Sequence, residues 1–367
     1  MYFAYQATLI KKILFLISLG ILLFCTSAYS QSYIKDITNP ESTSSDALCG
    51  PLKIVTICTS NLDSLRLFYE TGMGMVLSGP LRITKREKKK QRLLWDLPGT
   101  INYKVYLLYR PNVPENIELR VLLVSKKLSL VHETYNPREL GPFSLGFPNA
   151  NQELLDKELH NLGFNTKVPL QTVLMSKPDG TKYRYMEAIY QAPDFIHAVG
   201  VERGNGMSQL APYDSTTLKG GPGFSAQIVT GMSDRVLAFY TKVLGMEIRK
   251  DAEWKTGDGS ALGLPAGSGY RNTIVFAKGA STGYLQFIDF NDNKRLYPKV
   301  PPRMPYRGIG MFGFETSNIN KVTQLAIESK IRIIQKPMAL KDPILGNCMV
   351  MTMMAPNGVL VEVFQRK

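Results

Sequence analysis

The sequence contains few of the residues that usually hold metal ions. Its 367 residues include three histidines and four cysteines. No two cysteines have the Cys-x-x-Cys spacing, so a zinc site built from cysteine pairs is not expected. The histidines are His132, His160 and His197, and the chain after His197 has none. A histidine-based metal centre is therefore not predicted in the C-terminal part of the chain.

The N-terminus has the pattern of a signal peptide. Lys11 and Lys12 precede an apolar run at 13–24, and residues 28–30 (Ala-Tyr-Ser) place small side chains at the −3 and −1 positions. The apolar run is short for a membrane span. We predict cleavage near Ser30 and export to the periplasm or the extracellular space. The alternative is a membrane anchor formed by an uncleaved N-terminus.

Three cysteines remain after the predicted cleavage. An odd number cannot form a closed set of disulfides within one chain. Cys58 and Cys348 lie in apolar, strand-like segments, so we expect them to be small buried hydrophobic residues. A bond between Cys49 and Cys58 stays possible on sequence grounds.

The protein is basic, with a formal net charge of +14. Part of this charge lies in Arg82–Arg92 (RITKREKKKQR), which has seven basic residues and one acidic residue. The charge density favours a solvated loop or hairpin. The alternative function is contact with an anionic surface such as lipid headgroups or a cell-wall polymer. Nucleic acid is not expected, because the segment has no interleaved aromatic residues and no recognised motif.

A phrase in the sequence occurs twice. A strand is followed by a helix that ends in Phe-Tyr, at 68–69 and at 239–240, and a Gly-Met pair follows each. The two copies are 171 residues apart (239 − 68), which is a domain-sized period. Each copy is followed by a second strand and helix, and then by a turn and strand. The sequence thus predicts four β-α-β-β-β units in two pairs.

Linker composition sets the predicted boundaries. Residues 31–50 are polar and rich in Ser and Thr, and 203–222 are rich in Gly, Ser and Thr. After the signal peptide at 1–30, we therefore predict one domain at 51–202 and a second at 223–367.

These motifs resemble a known superfamily. The phrase MSDRVLAFYTKVLGMEI, followed later by APNGVLVEVFQ, is similar to the glyoxalase / bleomycin-resistance / extradiol-dioxygenase superfamily, also called vicinal oxygen chelate (VOC). The resemblance covers 224–367 well and 52–201 more weakly. It implies an α+β fold of two tandem VOC-type domains. Each would have two β-α-β-β-β units, with curved mixed sheets around a cavity.

The resemblance also implies positions for a divalent metal, which would polarise substrate oxygens. Members that bind one use His, Gln or Glu on the first and last strands of each unit. The implied positions hold Ile54, Ser144, Val199 and Glu118 or Arg120 in the first half, and Ser225, Met311, Gln286 and Glu362 in the second. A slip of two residues would replace Ser225 by Gln227 on the same face. A classical metal site is not expected; a metal, if bound, would use Gln286 and Glu362.

Two functions of different class follow from the resemblance. The first is an exported protein that binds a small apolar or aromatic ligand without a classical metal site. Its predicted ligand-binding residues are Ser225, Gln227, Gln286, Met311 and Glu362. The alternative is a lyase, isomerase or dioxygenase with a degenerate metal site, in which Glu362 is the catalytic base or a metal ligand.

Overall fold

The computed structural model of the protein describes residues 33–34 and 46–367, except 114, 177–179, 205–206, 208 and 256–261. The predicted signal peptide and cleavage site lie outside the described residues, as does most of the 31–50 linker. Residues Ile34–Lys367 form one compact unit. None of the described helices is both long and apolar enough to cross a membrane.

The fold contains short helices and many strands. The strands are β1 Tyr33–Ile34, β2 Cys49–Thr59, β3 Val76–Ser78, β4 Lys104–Tyr109, β5 Glu118–Leu123, β6 Gly141–Pro148, β7 Thr166–Ser176, β8 Lys182–Gln191, β9 His197–Arg203, β10 Phe224–Ile228, β11 Glu247–Lys255, β12 Gly269–Phe276, β13 Tyr284–Phe290, β14 Gly308–Thr316, β15 Arg332–Asp342, β16 Gly346–Met354 and β17 Leu360–Arg366. The helices are α1 (Leu62–Leu65, continued by a π-helical stretch, Arg66–Gly72), α2 Lys85–Leu94, α3 Gln152–Asn161, α4 (Ser233–Ala238, continued by π-helical Phe239–Val243) and α5 Ile319–Glu328.

Asparagine side chains set the start of three helices. The Asn61 side chain accepts hydrogen bonds from the backbone of Asp63 and Ser64, as its position before α1 predicts. Asn151 and Asn318 cap α3 and α5 in the same way. These two helices therefore begin at Gln152 and Ile319.

The four units pair across the two halves of the chain. They comprise β2–β5, β6–β9, β10–β13 and β14–β17. One sheet, the A sheet, has the order β11-β12-β13-β10-β6-β9-β8-β7 over residues 141–290, and the other, the B sheet, has the order β15-β16-β17-β14-β2-β5-β4-β3. The units meet where β10 runs antiparallel to β6 and where β14 runs antiparallel to β2. The α+β fold with tandem units and mixed sheets is confirmed.

The pairing adds a feature that the sequence does not show. The A sheet joins the second unit to the third, and the B sheet joins the first to the fourth. Each sheet thus takes one unit from the predicted domain 51–202 and one from 223–367. The domain boundaries stay a prediction, but the two sheets do not coincide with them.

Each sheet has one face packed against helices and one inner face. The repeated Phe-Tyr pairs lie on the helix side, where Phe68, Tyr69, Phe239 and Tyr240 are fully buried. Within each pair the rings meet edge to face, at 4.9 and 5.0 Å between centroids. The helix faces of both sheets share one continuous hydrophobic core. The repeat therefore marks core packing, and the functional surface must lie on the inner faces.

The three cysteines after the predicted cleavage site are buried and free. Burial raises the pKa of Cys348 to about 12, so this thiol stays protonated at ordinary pH. The prediction that Cys58 and Cys348 are buried hydrophobic residues is confirmed, and no Cys49–Cys58 disulfide forms.

Candidate functional site

The inner face of the B sheet is covered by a helix. The segment Arg82–Arg92 was predicted as a loop or hairpin, and this is wrong, because Lys85–Leu94 forms helix α2. Thr84 caps it by accepting a hydrogen bond from the Glu87 backbone at 3.2 Å. The Thr-x-x-Glu spacing is that of a capping box, which marks the start of a helix. The interpretation of this segment from its charge did not take that spacing into account.

Several basic side chains of α2 hold the helix in place. Lys88 Nζ donates to the Tyr103 carbonyl at 2.9 Å, and Lys90 Nζ donates to the Ala339 carbonyl at 2.8 Å. In the buried layer beneath, Gln91 Nε2 donates to an Asp342 carboxylate oxygen at 2.8 Å. These contacts hold α2 against the edge strand β15 and the residue that precedes β4.

The C-terminal end of α2 fills the space beneath it. Leu94 and Trp95 are fully buried in a cluster with inner-face residues such as Ile54 and Met311. The B sheet therefore encloses a packed core on its inner face, which we call the B core.

Glu362 lies in the B core and is held by two donors. One carboxylate oxygen accepts from Arg120 Nη2 at 2.9 Å, and the other accepts from Trp95 Nε1 at 3.0 Å. Glu362 and Arg120 are both completely buried. The Arg120 guanidinium also lies 5.1 Å from the Trp95 ring centroid. Both carboxylate oxygens thus have partners within the protein.

The inner face of the A sheet has a different character, because it lines a cavity of about 310 Å³, the A cavity. Aromatic side chains form much of its wall: Phe143, Tyr183, Tyr185, Phe224, Trp254, Tyr270 and Tyr284. Polar side chains reach it at a few points: Gln171, Glu187, Arg203, Lys250, Lys255, Asn272 and Gln286. An aromatic wall with few polar groups is typical of a small-molecule site.

A stack of rings supports one wall of the A cavity. Phe224 and Tyr284 lie parallel, at 4.8 Å between centroids and 10° between planes. Phe276 stacks on Tyr284 at the same distance. A Cβ on Gly146 would lie 1.9 Å from the Phe224 ring, so a glycine is needed opposite Phe224. Tyr284 lies between Phe224 and Phe276, so its two ring faces are covered and the stack is fixed by packing.

The carboxyl group of Glu187 lies at one part of the A cavity. Glu187 is 9% exposed and lies in β8, where it pairs with Val201 of β9. Burial raises the pKa of Glu187 to about 7, and the neighbouring Tyr185 hydroxyl opposes part of this rise. Glu187 therefore exchanges its proton near neutral pH.

A second group of charges comes from β9 and β11. Arg203 ends β9, and its guanidinium lies 5.2 Å from the Tyr183 ring centroid. Lys250 of β11 lies 4.5 Å from the Trp254 ring centroid. Burial, and secondly the charge of Arg203, lower the pKa of Lys250 to about 8. Two cations thus influence each other at the cavity.

The five predicted ligand-binding residues do not converge. Gln286 lines the A cavity, where its Nε2 donates to Asn272 Oδ1 at 3.1 Å. Met311 and Glu362 lie in the B core. The separation follows from the pairing of units across the halves, which places β13 and β17 in different sheets.

Ser225 and Gln227 lie on the helix side of the A sheet. Ser225 Oγ donates to the Ser144 carbonyl at 2.8 Å. Gln227 Nε2 donates to Tyr240 Oη at 3.3 Å, and Gln227 Oε1 accepts from Asn357 at 2.7 Å. Ala226 is the residue that faces the cavity. Phe224 and Ala226 alternate regularly with Ser225 and Gln227, so counting back from Phe239 selects the opposite face of β10.

Sequence reasoning did not find Glu187, Arg203 or Lys250. Arg203 could have been found, because it continues the alternation of His197, Val199 and Val201 along one face of β9. Glu187 and Lys250 gave no such signal. They reach one cavity only because the second unit pairs with the third.

Neither inner face has a donor set that fits a divalent cation. Within the described part of the chain, no three His, Cys, Asp or Glu side chains are grouped to hold one. The parallel register that pairs Ala226 with Gln286 in the A sheet pairs Thr56 with Arg120 in the B sheet. A guanidinium thus occupies the B-core position equivalent to Gln286, and its charge opposes binding of a second cation beside Glu362.

His197, the one histidine on the inner face of β9, does not change this. It is 1% exposed, and its ring packs 4.9 Å from that of Tyr135 and 4.8 Å from that of Phe143. Burial, with smaller contributions from His132 and Lys167, lowers its pKa to about 3. His197 is therefore a neutral packed side chain across the ordinary pH range.

Comparisons with known proteins agree with this architecture. The family model described as Glyoxalase/Bleomycin resistance protein/Dioxygenase superfamily matches residues 224–363. The structure of glyoxalase I from Zea mays is similar, with a TM-score of 0.55 and 15% identity over 88% of this chain and 94% of that chain. A putative dioxygenase from Bacillus subtilis has a TM-score of 0.51 and 14% identity over 87% of this chain and 86% of that chain.

No curated protein matches the chain. At the identities found, the solved structures bear on the fold alone. The matched segment contains the second Phe-Tyr phrase and the closing Pro-Asn-Gly turn with its strand, which are the motifs of the resemblance. Residues 224–363 therefore match the model of the glyoxalase/bleomycin resistance protein/dioxygenase superfamily, and the chain has the tandem fold of these similar structures.

Proposed function

We propose that the protein binds a small, flat, apolar or aromatic molecule in the A cavity, without a metal ion. The observation that supports this is the cavity of about 310 Å³ with a stacked aromatic wall. Ala226 of β10 and Gln286 of the adjacent strand β13 face this cavity, and they make a poor ligand set for a divalent cation. The A cavity thus favours binding through shape and ring contacts.

The alternative function, a lyase, isomerase or dioxygenase that uses Glu362, receives no support from the geometry. A catalytic base must reach the proton that it abstracts. Both oxygens of Glu362 instead accept hydrogen bonds from Arg120 and Trp95 within a packed core. A structural ion pair accounts for Glu362 without a reaction.

A filling substitution tests the proposed function. Ala226→Phe places a ring inside the A cavity, whereas Leu174→Phe adds the same ring to β7 at a side chain that is 70% exposed. We expect 2-naphthol, measured by isothermal titration calorimetry, to bind the wild type and Leu174→Phe equally and Ala226→Phe at least tenfold more weakly. Thermal unfolding would verify that both variants are folded.

Two results would contradict the proposal. One is unchanged 2-naphthol binding by a folded Ala226→Phe variant. The other is a stoichiometric transition metal in protein purified without chelators, together with loss of binding when that metal is removed. Metal content can be measured by elemental mass spectrometry on the same preparation.

Export is part of the proposed function, and it rests on residues 11–30. Expression of the full chain in a secreting host should give a periplasmic or extracellular protein whose intact mass corresponds to a start at Gln31. Full-length protein that fractionates with membranes would instead support the uncleaved anchor.

A further inference from the structure

We propose that the ligand of the A cavity is a planar organic acid, whose carboxylate binds at the end formed by Lys250, Arg203 and Trp254. This inference rests on the proposed function, because it names the chemical class that the same cavity would take. It follows from how charge and hydrogen-bond donors are distributed around the cavity wall.

Cationic side chains from β9 and β11 and an acidic side chain from β8 line the cavity. The positive charge of Arg203 acts on Lys250, and burial is the only other effect on its pKa. Burial and the Tyr185 hydroxyl account for the shift at Glu187, with no contribution from Lys250 or Arg203. Arg203 and Lys250 are thus neighbouring cations in the cavity wall, and they form what we call its basic end.

Two hydrogen-bond donors, Lys250 and Trp254, lie at the basic end. Among the ion pairs that the described residues form, none includes Lys250. Trp254 Nε1 is buried without a hydrogen-bond partner in the described part of the chain. A buried donor left unpaired is costly, so a ligand acceptor at this position would remove that cost. A carboxylate offers two acceptor oxygens and a negative charge to this group of donors.

The rest of the wall fits a flat ring system. Phe224 and Tyr284 stack on each other, so their ring edges are available to meet the face of a planar ligand, and Tyr270 and Ile274 line the cavity beside them. Burial raises the pKa of Tyr270 to about 12, so this phenol is neutral and does not repel an anion. A planar body against the stack and a carboxylate against Lys250 would satisfy both parts of the cavity.

The test compares two probes of nearly equal shape. The wild-type protein is titrated calorimetrically with 2-naphthoate and with its neutral isostere 2-naphthamide. We expect the acid to bind at least tenfold more tightly, which corresponds to about 1.4 kcal/mol. Lys250→Met should remove most of this preference, and Lys250→Arg should keep it. Lys104→Met, which removes an exposed lysine from the B sheet, is the matched control and should keep the full preference.

The outcomes separate this inference from the proposed function. Equal affinity for acid and amide overturns the inference and leaves aromatic binding in place. An undiminished acid preference in folded Lys250→Met also overturns the inference. Failure of both probes to bind overturns both proposals. If Lys250→Met does not fold, the wild-type comparison and Lys250→Arg still decide the result.

Discussion

Arg120 and Glu362 form a fully buried ion pair in which each group depends on the other. The pair costs desolvation energy, and the 2.9 Å contact together with the Trp95 hydrogen bond offsets that cost. The position of Glu362 matched the family pattern in the sequence, but its partner comes from the opposite half of the chain. A pattern within one half therefore identified the carboxylate and could not identify what it binds.

We predict that Glu362→Gln lowers the free energy of unfolding by about 3–5 kcal/mol, because it leaves the Arg120 charge buried without a counter-charge. The double variant Arg120→Met/Glu362→Leu should recover most of that loss. Urea unfolding of Arg120→Met, Glu362→Leu and the double variant, compared with wild type, forms the cycle that measures the coupling. A folded Glu362→Gln variant of wild-type stability that no longer binds ligand would instead assign Glu362 to function.

Glu187 gives a prediction about pH. Its pKa is raised from 4.5 to about 7 in the folded protein, so the folded state holds this proton more firmly than the unfolded chain does. Its contribution to stability is therefore full below pH 4.5 and lost as the pH rises through about 7. Glu187→Gln removes this dependence. The stability of the variant relative to wild type should increase by about 3 kcal/mol between pH 4 and pH 8.

Denaturant unfolding at the two pH values measures this increase. Contributions from His197 and other titrating groups are common to both proteins and cancel in the difference. If the variant and the wild type differ in stability by the same amount at pH 4 and at pH 8, Glu187 ionises as readily in the folded protein as in the unfolded chain.

At the scale of elements, local signals predicted the helices better than they predicted the site. Asn61 caps α1 as expected, and the Phe-Tyr pairs mark the helix-side core. The site depended on longer-range features. Phe224 and Ala226 face the cavity and Ser225 and Gln227 face the helices, and the alternation within β10 does not by itself show which set faces inward. Helix α2 was missed because the seven basic residues of Arg82–Arg92 resemble a solvated segment, although Thr84 and Glu87 carry a helix-start signal.

Helix α2 has two kinds of lysine, and we predict that they differ in their effect on stability. Lys88 and Lys90 donate to main-chain carbonyls of Tyr103 and Ala339, whereas Lys85 and Lys89 are exposed. Lys88→Met/Lys90→Met should lower the free energy of unfolding by about 2 kcal/mol, from two charged hydrogen bonds. Lys85→Met/Lys89→Met is the matched control and should change it by less than about 0.5 kcal/mol. Equal losses in urea unfolding would contradict the fastening role of α2.

The exposed basic residues of Arg82–Arg92 are the basis for a further proposal, contact with an anionic surface. Contact with an anionic surface would use Arg82, Lys85, Arg86 and Lys89, which all face solvent. Lys85→Glu/Lys89→Glu, compared with wild type in sedimentation with phosphatidylglycerol vesicles, tests it. Equal binding by both proteins would exclude this role.

At the scale of the whole molecule, the sequence repeat predicted four units but not their partners. The connections between successive units have similar lengths. Sequence spacing therefore does not show whether a sheet joins two units of the same half or two units of different halves. The observed pairing gives each half two strands, β2 and β6 or β10 and β14, whose partners lie in the other half. Unpaired edges of this kind favour association.

We predict that the two halves do not fold separately as monomers. Fragments 46–204 and 205–367, expressed alone, should aggregate or dimerise, because each exposes the strand edges that the other half covers. Co-expression should restore a one-to-one complex with the circular dichroism spectrum of the intact chain. Size-exclusion chromatography with light scattering gives the mass of each species. A monomeric half with its own cooperative unfolding transition would contradict the cross-half pairing.

Because α2 covers the inner face of the B sheet, it limits how many ligand molecules one chain can bind. Four repeated units form two sheets, but Trp95 and its neighbours already occupy the inner face of one of them. A calorimetric titration of the intact protein should therefore reach its end point at one ligand per chain, with a single class of site. Of the two sheets that duplication produced, the B sheet would then serve only to stabilise the fold, and the A sheet would keep the binding site.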